Sequence, residues 1–276
     1  MRIAFRTDAS LKIGTGHVIR CMTLANELRD QGAECQFVCR ELEGHLFEHI
    51  RSSGYRLHTL PKPEPNLTFE SVLTHAHWLG VDWQTDAMQT RLALGTEMLD
   101  WLIVDHYALD YRWESALRSS CKRVMVIDDL ADRQHDCDLL LDQNYYLDLN
   151  KRYQNLLPDD CLCLLGPSFV LFRKEFYLAK QQLRVREGIV HRILVFFGGN
   201  DSTNQTVKVL KALVRLKPKN ISIDVVVGST NTNRESIRVF CEYQPDFTYH
   251  FNISNMAELV AKADLCIGAG GSAMWE

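Results

Sequence analysis

The sequence contains no pair of cysteines spaced CxxC, and its nine cysteines are scattered and odd in number. That spacing excludes both a disulfide framework and a zinc ribbon, so reduced thiols in a cytosolic chain are expected. Proline is scarce, seven in 276 residues, and no repeat or low-complexity tract interrupts the chain. Collagen-like and mainly disordered architectures are thereby excluded. No window approaches a membrane-spanning apolar length, and residues 1–5 enter a strand-like run with no basic segment or small-residue cleavage site. Neither membrane insertion nor secretion is expected. A charge excess is lacking too: 31 basic against 35 acidic residues leave a net −4, which argues against nucleic acid as the main partner.

What is present is an alternation. Short β-branched or aromatic runs recur with helical patterns between them, the signature of parallel sheets covered by helices on both faces. Strands are predicted over 2–7, 34–40, 56–60, 100–105, 123–127 and 138–141, with helices over 16–31, 43–52 and 84–96 and a proline-rich loop over 61–66. A charged, helix-like segment follows over 172–186, and the alternation restarts at Arg192. The expected fold class is α/β, with two Rossmann-like domains whose parallel sheets face a cleft. Their expected extents are 1–165 and 191–276, separated by a linker helix region over 166–190. Because the chain stops at Glu276 just as Gly270, Gly271 and Ser272 open a new helix, a second domain cut short is expected.

Three glycine-rich turns follow strands: Gly14-Thr15-Gly16-His17, Gly198-Gly199-Asn200-Asp201-Ser202 and Gly268-Ala269-Gly270-Gly271-Ser272. Each is also what a tight strand-to-helix connection looks like, but together they suggest backbone amides and helix N-termini gathered around an anionic ligand. A dinucleotide fingerprint is broken by Ile19, and no P-loop lysine is present. His17 falls in the first turn of a helix, where the dipole favours a neutral imidazole that can accept a proton; capping of the helix is the plainer alternative. Asp105, His106 and Tyr107, then Asp128 and Asp129, then Gln143, Asn144 and Tyr145 end later strands and form a polar wall, unless the acids serve only as helix caps. Glu276, about one turn after Ser272, suits a ribose diol or complements a helix dipole. The HxxEH run from His45 to His49 is a short zinc pattern without an obvious third ligand, Asp136 and Asp138 read as a surface turn, and His75 with His77 has less support still. No metal and no cofactor are expected.

The segments RTDASLKIGTGHVIRCMTLANEL, IVDHYALD, VLFRKEF, FFGGNDSTN and GAGGSAMWE occur in that order through nearly the whole chain. Together they resemble the PseG family, the UDP-sugar hydrolases of pseudaminic acid biosynthesis, and more distantly the GT-B glycosyltransferase that makes lipid II. The resemblance implies a GT-B fold with UDP held mainly by the second domain and the sugar facing the first. It implies metal-independent hydrolysis of UDP-2,4-diacetamido-2,4,6-trideoxy-beta-L-altropyranose to free sugar and UDP, with inversion at the anomeric carbon. On that resemblance His17 is the base, Gly270, Gly271, Ser272 and Glu276 bind nucleotide, and Arg6, Asp8, Asp105, Tyr107 and Asn144 lie near the sugar. Gly14, Gly16, Gly198 and Gly199 complete the candidate substrate contacts. A GT-B glycosyltransferase using a UDP-sugar donor and a non-catalytic nucleotide-sugar binding module remain the alternatives.

Overall fold

A computed structural model describes residues 1–64, 72–181, 183–216 and 219–270. The chain divides into two compact units, Met1–Leu171 and Phe172–Glu276. The first contains β1 (Arg2–Thr7), α1 (Gly16–Asp30), β2 (Glu34–Arg40), α2 (Phe47–Ser52), β3 (Arg56–Leu60), α3 (Trp83–Leu94) and β4 (Leu99–Asp105). It continues through α4 (Tyr111–Leu117), β5 (Cys121–Ile127), β6 (Leu139–Asp142), α5 (Leu149–Arg152) and β7 (Leu162–Leu165).

The seven strands form one parallel sheet in the order β3-β2-β1-β4-β5-β6-β7. Alternation along the strands distributes the core to both faces. In β4, Leu102 and Val104 pack with Trp113 and Leu117 on one side, while Ile103 joins Ile3, Phe5, Val18 and Phe37 on the other. Burial of both faces is why these strands read as nearly unbroken apolar runs. Sheet growth reverses direction between β1 and β4, so the carboxyl ends of those two strands form the switch point where this architecture collects ligand-binding groups.

Glycines set several helix limits. Gly32, at φ 88°, ends α1, with the Gly32 amide donating to Arg29 O and the Ala33 amide to Leu28 O, both at 2.9 Å. Gly95, at φ 74°, stops α3 short of the predicted residue 96. The helix predicted over 43–52 begins only at Phe47, because Gly44 turns at φ 87° and Glu43 O accepts the Leu11 amide at 2.8 Å. Residues 61–64 of the proline-rich loop lack regular structure, and Pro65 and Asn66 lie outside the described residues.

The second unit contains α6 (Lys174–Lys180), β8 (Arg192–Phe196), α7 (Gln205–Leu216), β9 (Ser222–Val227), α8 (Arg234–Glu242), β10 (Phe247–Phe251), α9 (Met256–Lys262) and β11 (Leu265–Gly268). Its parallel sheet has the order β10-β9-β8-β11, with a switch point between β8 and β11. The helix predicted over 172–186 is much shorter. Beyond α6, Arg186 donates to Ala263 O at 3.2 Å and Ala261 O at 3.4 Å, and Arg184 to Lys262 O at 3.4 Å. Carbonyls left unpaired at the end of α9 thus hold this segment in an irregular path.

Strands β8 and β11 pair Phe196 with Gly268. A Cβ at residue 268 would lie 2.2 Å from the Phe196 carbonyl oxygen, a clash that only movement of the backbone relieves. Gly268→Ala is therefore expected to cost about 1–3 kcal/mol, seen as a lower denaturant midpoint at unchanged slope. A midpoint equal to the parent's would contradict this close approach.

Candidate active site

The turn after β1 is shaped by Ser10, whose hydroxyl accepts the Lys12 and Ile13 amides at 3.2 and 3.0 Å and whose carbonyl accepts the Gly14 amide at 2.8 Å. Gly14 needs its φ of 83°, and space within 4 Å of a hypothetical Cβ is empty at both Gly14 and Gly16. A ligand can approach this backbone closely. From the first turn of α1, His17 turns its ring to the end of β4, with Nδ1 2.6 Å from Asp105 Oδ1. The imidazole therefore does not cap the helix.

Arg20, one turn along α1, holds the same carboxylate: Nε donates to Asp105 Oδ2 at 2.6 Å and Nη2 to Oδ1 at 2.7 Å. A third donor, Nη1, reaches Asp129 Oδ2 at 3.1 Å. Asp129 also accepts from the Tyr107 hydroxyl and from Asn144 Nδ2, the latter at 3.3 Å. Asp105 and Asp129 thus tie several groups together rather than capping helices. Burial opposes charge on Asp105, but Arg20 and then His17 more than offset it and hold the carboxyl well below its ordinary range. Burial followed by Asp129 pushes the Tyr107 phenol well above its usual range. Asp105 is consequently an ionised acceptor, and Tyr107 a donor.

An ionised Asp105 has no proton to give, so the proton in the 2.6 Å contact sits on His17 Nδ1. In the neutral ring Nε2 then carries the lone pair, and it has no hydrogen-bond partner among the described residues. The Tyr107 ring meets the His17 ring edge to face at a centroid distance of 4.6 Å, and Trp78 lies 5.6 Å from Tyr107 and 4.6 Å from His75. His75 and Trp78 belong to this aromatic collar. The local pattern marks His75 only as a weak metal ligand and gives no sign of Trp78, because their contact with Tyr107 joins residues about 30 apart in the chain.

Arg6 and Asp8 require a correction. Both are fully buried, as is Asp105, which leaves none of the three a surface for a sugar to touch. Arg6 instead grips Asp86 through Nε at 3.1 Å and Nη2 at 2.7 Å, and its Nη1 lies 2.7 Å from Asp8 Oδ1. Arg40 adds Nη2 to Asp86 Oδ2 at 2.6 Å and its amide to Asp8 Oδ1 at 2.7 Å, while His106 Nε2 lies 3.2 Å from Asp8 Oδ2. The pair forms a braced floor beneath the switch point. Asp128, equally buried, pairs with Arg133 at 2.8 Å.

This floor makes stability sensitive to acid. Burial holds His106 below its ordinary pKa, so the folded state resists a proton that the unfolded chain takes up below about pH 6.5. For Asp8 burial works toward a higher pKa, but Arg6 and His106 reverse it and hold the carboxyl far below the usual range. Its stabilising contribution is complete above about pH 4 and is lost as pH falls below that. The unfolding temperature is expected to fall from about pH 6.5 downward and more steeply below pH 4. A flat profile between pH 7 and pH 3 would contradict both assignments.

In the second unit the paired strands β8 and β11 end side by side at Phe196 and Gly268, and the turns that carry Gly198, Gly199 and Gly270 leave from these adjacent ends. Gly198 has φ 81° with open space around it, and the Gly199 carbonyl accepts from Thr230 Oγ1 at 2.8 Å. The N-terminus of α7 is not open to phosphate, however. Asp201 already accepts the Gln205 amide at 2.8 Å and the Thr206 amide at 2.9 Å, which corrects the expectation that this terminus offers its charge to a ligand. Gly271, Ser272 and Glu276 lie outside the described residues.

His45 precedes α2 and stacks on Phe47 at 3.8 Å, so it does not share a helix with His49. Asp136 and Asp138 both pair with Arg118 at 2.6 Å. Among the described residues no three His, Cys, Asp or Glu side chains converge on a position that could hold a metal ion, and no helix is long and apolar enough to cross a membrane.

No protein-family model matches the chain. Solved structures establish its class. MurG from Acinetobacter baumannii matches with a TM-score of 0.52 at 13% identity, covering 99% of this chain and 74% of that one. UDP-GlcNAc 2-epimerase from Neisseria meningitidis, in a complex with UDP-GlcNAc, matches with a TM-score of 0.55 at 11% identity, covering 99% and 78%. The chain is an α/β protein of the GT-B type. Among curated proteins it is 26% identical over 273 residues to the UDP-2,4-diacetamido-2,4,6-trideoxy-beta-L-altropyranose hydrolase of Campylobacter jejuni, covering 99% of this chain and 86% of the relative. It is also 25% identical over 282 residues to an uncharacterized protein of Methanocaldococcus jannaschii, spanning 53% of that protein's length. The resemblance read from the motifs is borne out along the chain.

Proposed function

We propose that this chain hydrolyses a UDP-linked 2,4-diacetamido-2,4,6-trideoxy sugar to the free sugar and UDP, as a cytoplasmic step of pseudaminic acid biosynthesis. The observation that carries the reading is the His17–Asp105 pair, held at 2.6 Å with Nε2 left unpartnered among the described residues, in a chain similar to such a hydrolase over 99% of its length. Water is a poor nucleophile, and a positioned neutral imidazole accelerates its attack by roughly 10²–10⁴ as a general base. In the proposed reaction Nε2 takes the proton as water attacks the anomeric carbon, inverting it, and Asp105 stabilises the imidazolium through Nδ1. Tyr107 and Asn144 line the sugar side, and Gly14 and Gly16 let it approach. The second unit holds UDP through Gly198, Gly199, Gly270, Gly271 and Ser272, with Glu276 on the ribose. UDP is a good leaving group, and the reading invokes no metal and no cofactor.

Incubation of the protein with UDP-sugars, followed by proton NMR of the anomeric signals, tests this directly. The expected result is release of UDP and a free sugar whose first-formed anomer is inverted, at a rate unchanged by EDTA. Transfer only to an added acceptor would indicate a glycosyltransferase, and saturable binding without turnover a binding module. Loss of activity with EDTA would overturn the metal-free mechanism.

A further inference from the structure

We infer that Arg20 is a positioning residue that fixes the tautomer and orientation of His17 by acting through Asp105. The inference rests on the reading of His17 as the base and adds to it the residue that makes that base usable. Arg20 is nearly buried, at 8% exposure, and its guanidinium presents three separate donors to two carboxylates. Nε and Nη2 form a fork on Asp105 at 2.6 and 2.7 Å, and Nη1 bonds Asp129 at 3.1 Å. A planar guanidinium engaged this way removes the rotational freedom of Asp105. Apart from Arg20, the donor to its Oδ2 among the described residues is the Cys21 thiol, at 3.5 Å.

Oxygen Oδ1 is shared. It accepts Arg20 Nη2 at 2.7 Å and faces His17 Nδ1 at 2.6 Å, while Nη2 and Nδ1 are themselves 3.2 Å apart. Nη2 carries only protons, so if Nδ1 also donates, the two groups compete for one oxygen without bonding each other. If Nδ1 were unprotonated it would accept from Nη2 and face the negative Asp105 oxygen with its lone pair, an arrangement the short Nδ1–Oδ1 distance disfavours. The guanidinium therefore decides the tautomer by keeping Asp105 charged and oriented. Asp129 anchors the far side of Arg20, and Tyr107 anchors Asp129. A lysine can supply the charge but not the fork.

Long-range nitrogen-15 NMR of histidine rings in the full chain, with His17 assigned by comparison with His17→Gln, reads this state without any substrate. In the parent, His17 is expected to show a protonated Nδ1 and an unprotonated Nε2. Arg20→Gln should shift the ring toward the other tautomer or toward a mixture, and Arg20→Lys should lie between. On UDP-sugar hydrolysis kcat should fall about 10–100-fold in Arg20→Gln, the scale of a misplaced catalytic group, with KM changed less than about threefold and a smaller kcat loss in Arg20→Lys. The inference is overturned if the tautomer and kcat of folded Arg20→Gln match the parent. It is equally overturned if kcat in both variants falls only in proportion to the folded fraction measured by circular dichroism, the outcome for a purely structural residue. If the parent releases no UDP from any UDP-sugar while the tautomer still responds to Arg20, the functional reading fails and the positioning role stands.

Discussion

His17→Asn is expected to lower kcat by about two to four orders of magnitude while UDP affinity and unfolding temperature stay close to the parent's. Asparagine retains a donor able to reach Asp105, so the buried carboxylate is not stripped of its partner on the α1 side. Arg20 continues to hold both its oxygens. What disappears is the nitrogen lone pair at Nε2. His17 is only 7% exposed, so its edge-to-face contact with the Tyr107 ring is lost, while the Nδ1-side bond to Asp105 is kept. UDP affinity is read by calorimetry and kcat by UDP release. A variant that hydrolyses at the parent rate removes His17 from the chemistry. Parallel loss of stability, UDP binding and activity would instead make it a structural residue.

The second large effect is on stability. Asp86→Ala is expected to destabilise the chain by about 3–5 kcal/mol, lowering the unfolding temperature by roughly 10 °C. Asp86 is fully buried and accepts from Arg6, Arg40 and the Trp113 indole at 3.0 Å. Removing it leaves two fully buried guanidinium groups with Asp8 as the remaining carboxylate of the floor. The cost comes chiefly from that uncompensated charge, since each cation has been taken out of water. Differential scanning calorimetry provides the measurement, and a shift below about 2 °C would show that water or rearrangement compensates for the lost acid. Asp86→Asn should be milder, because the amide oxygen still accepts one of the arginines.

The strand and helix alternation was legible because each element carries its own period. The strands expected over residues 2–7, 34–40 and 56–60 match β1, β2 and β3 to the residue. Local turn chemistry likewise marked the glycine turns and singled out His17. Arg20 could have been noticed from its spacing, since three residues after His17 is the same face of the helix. Short elements escaped: α4 and β7 are only 7 and 4 residues long, too brief for a period to show.

By itself, the sequence determined the parallel α/β architecture, the places where strands hand over to glycine turns, and the first-turn histidine, because these follow from residue types within a few positions of each other. Tertiary structure alone decided which polar side chains face outward. Arg6 and Asp86 are 80 residues apart, and His17 and Asp105 are 88 apart; no local pattern records such pairs. Whether Arg6 faces a ligand or a buried carboxylate depends on where α3 lays Asp86 against β1. Whether a helix N-terminus is open depends on where Asp201 points, and whether residues 183–186 continue a helix depends on carbonyls at the end of α9. In each case the deciding partner is distant in sequence or set by a side-chain rotamer, and the free energy of burying or pairing a charge outweighs the local preference that the sequence displays.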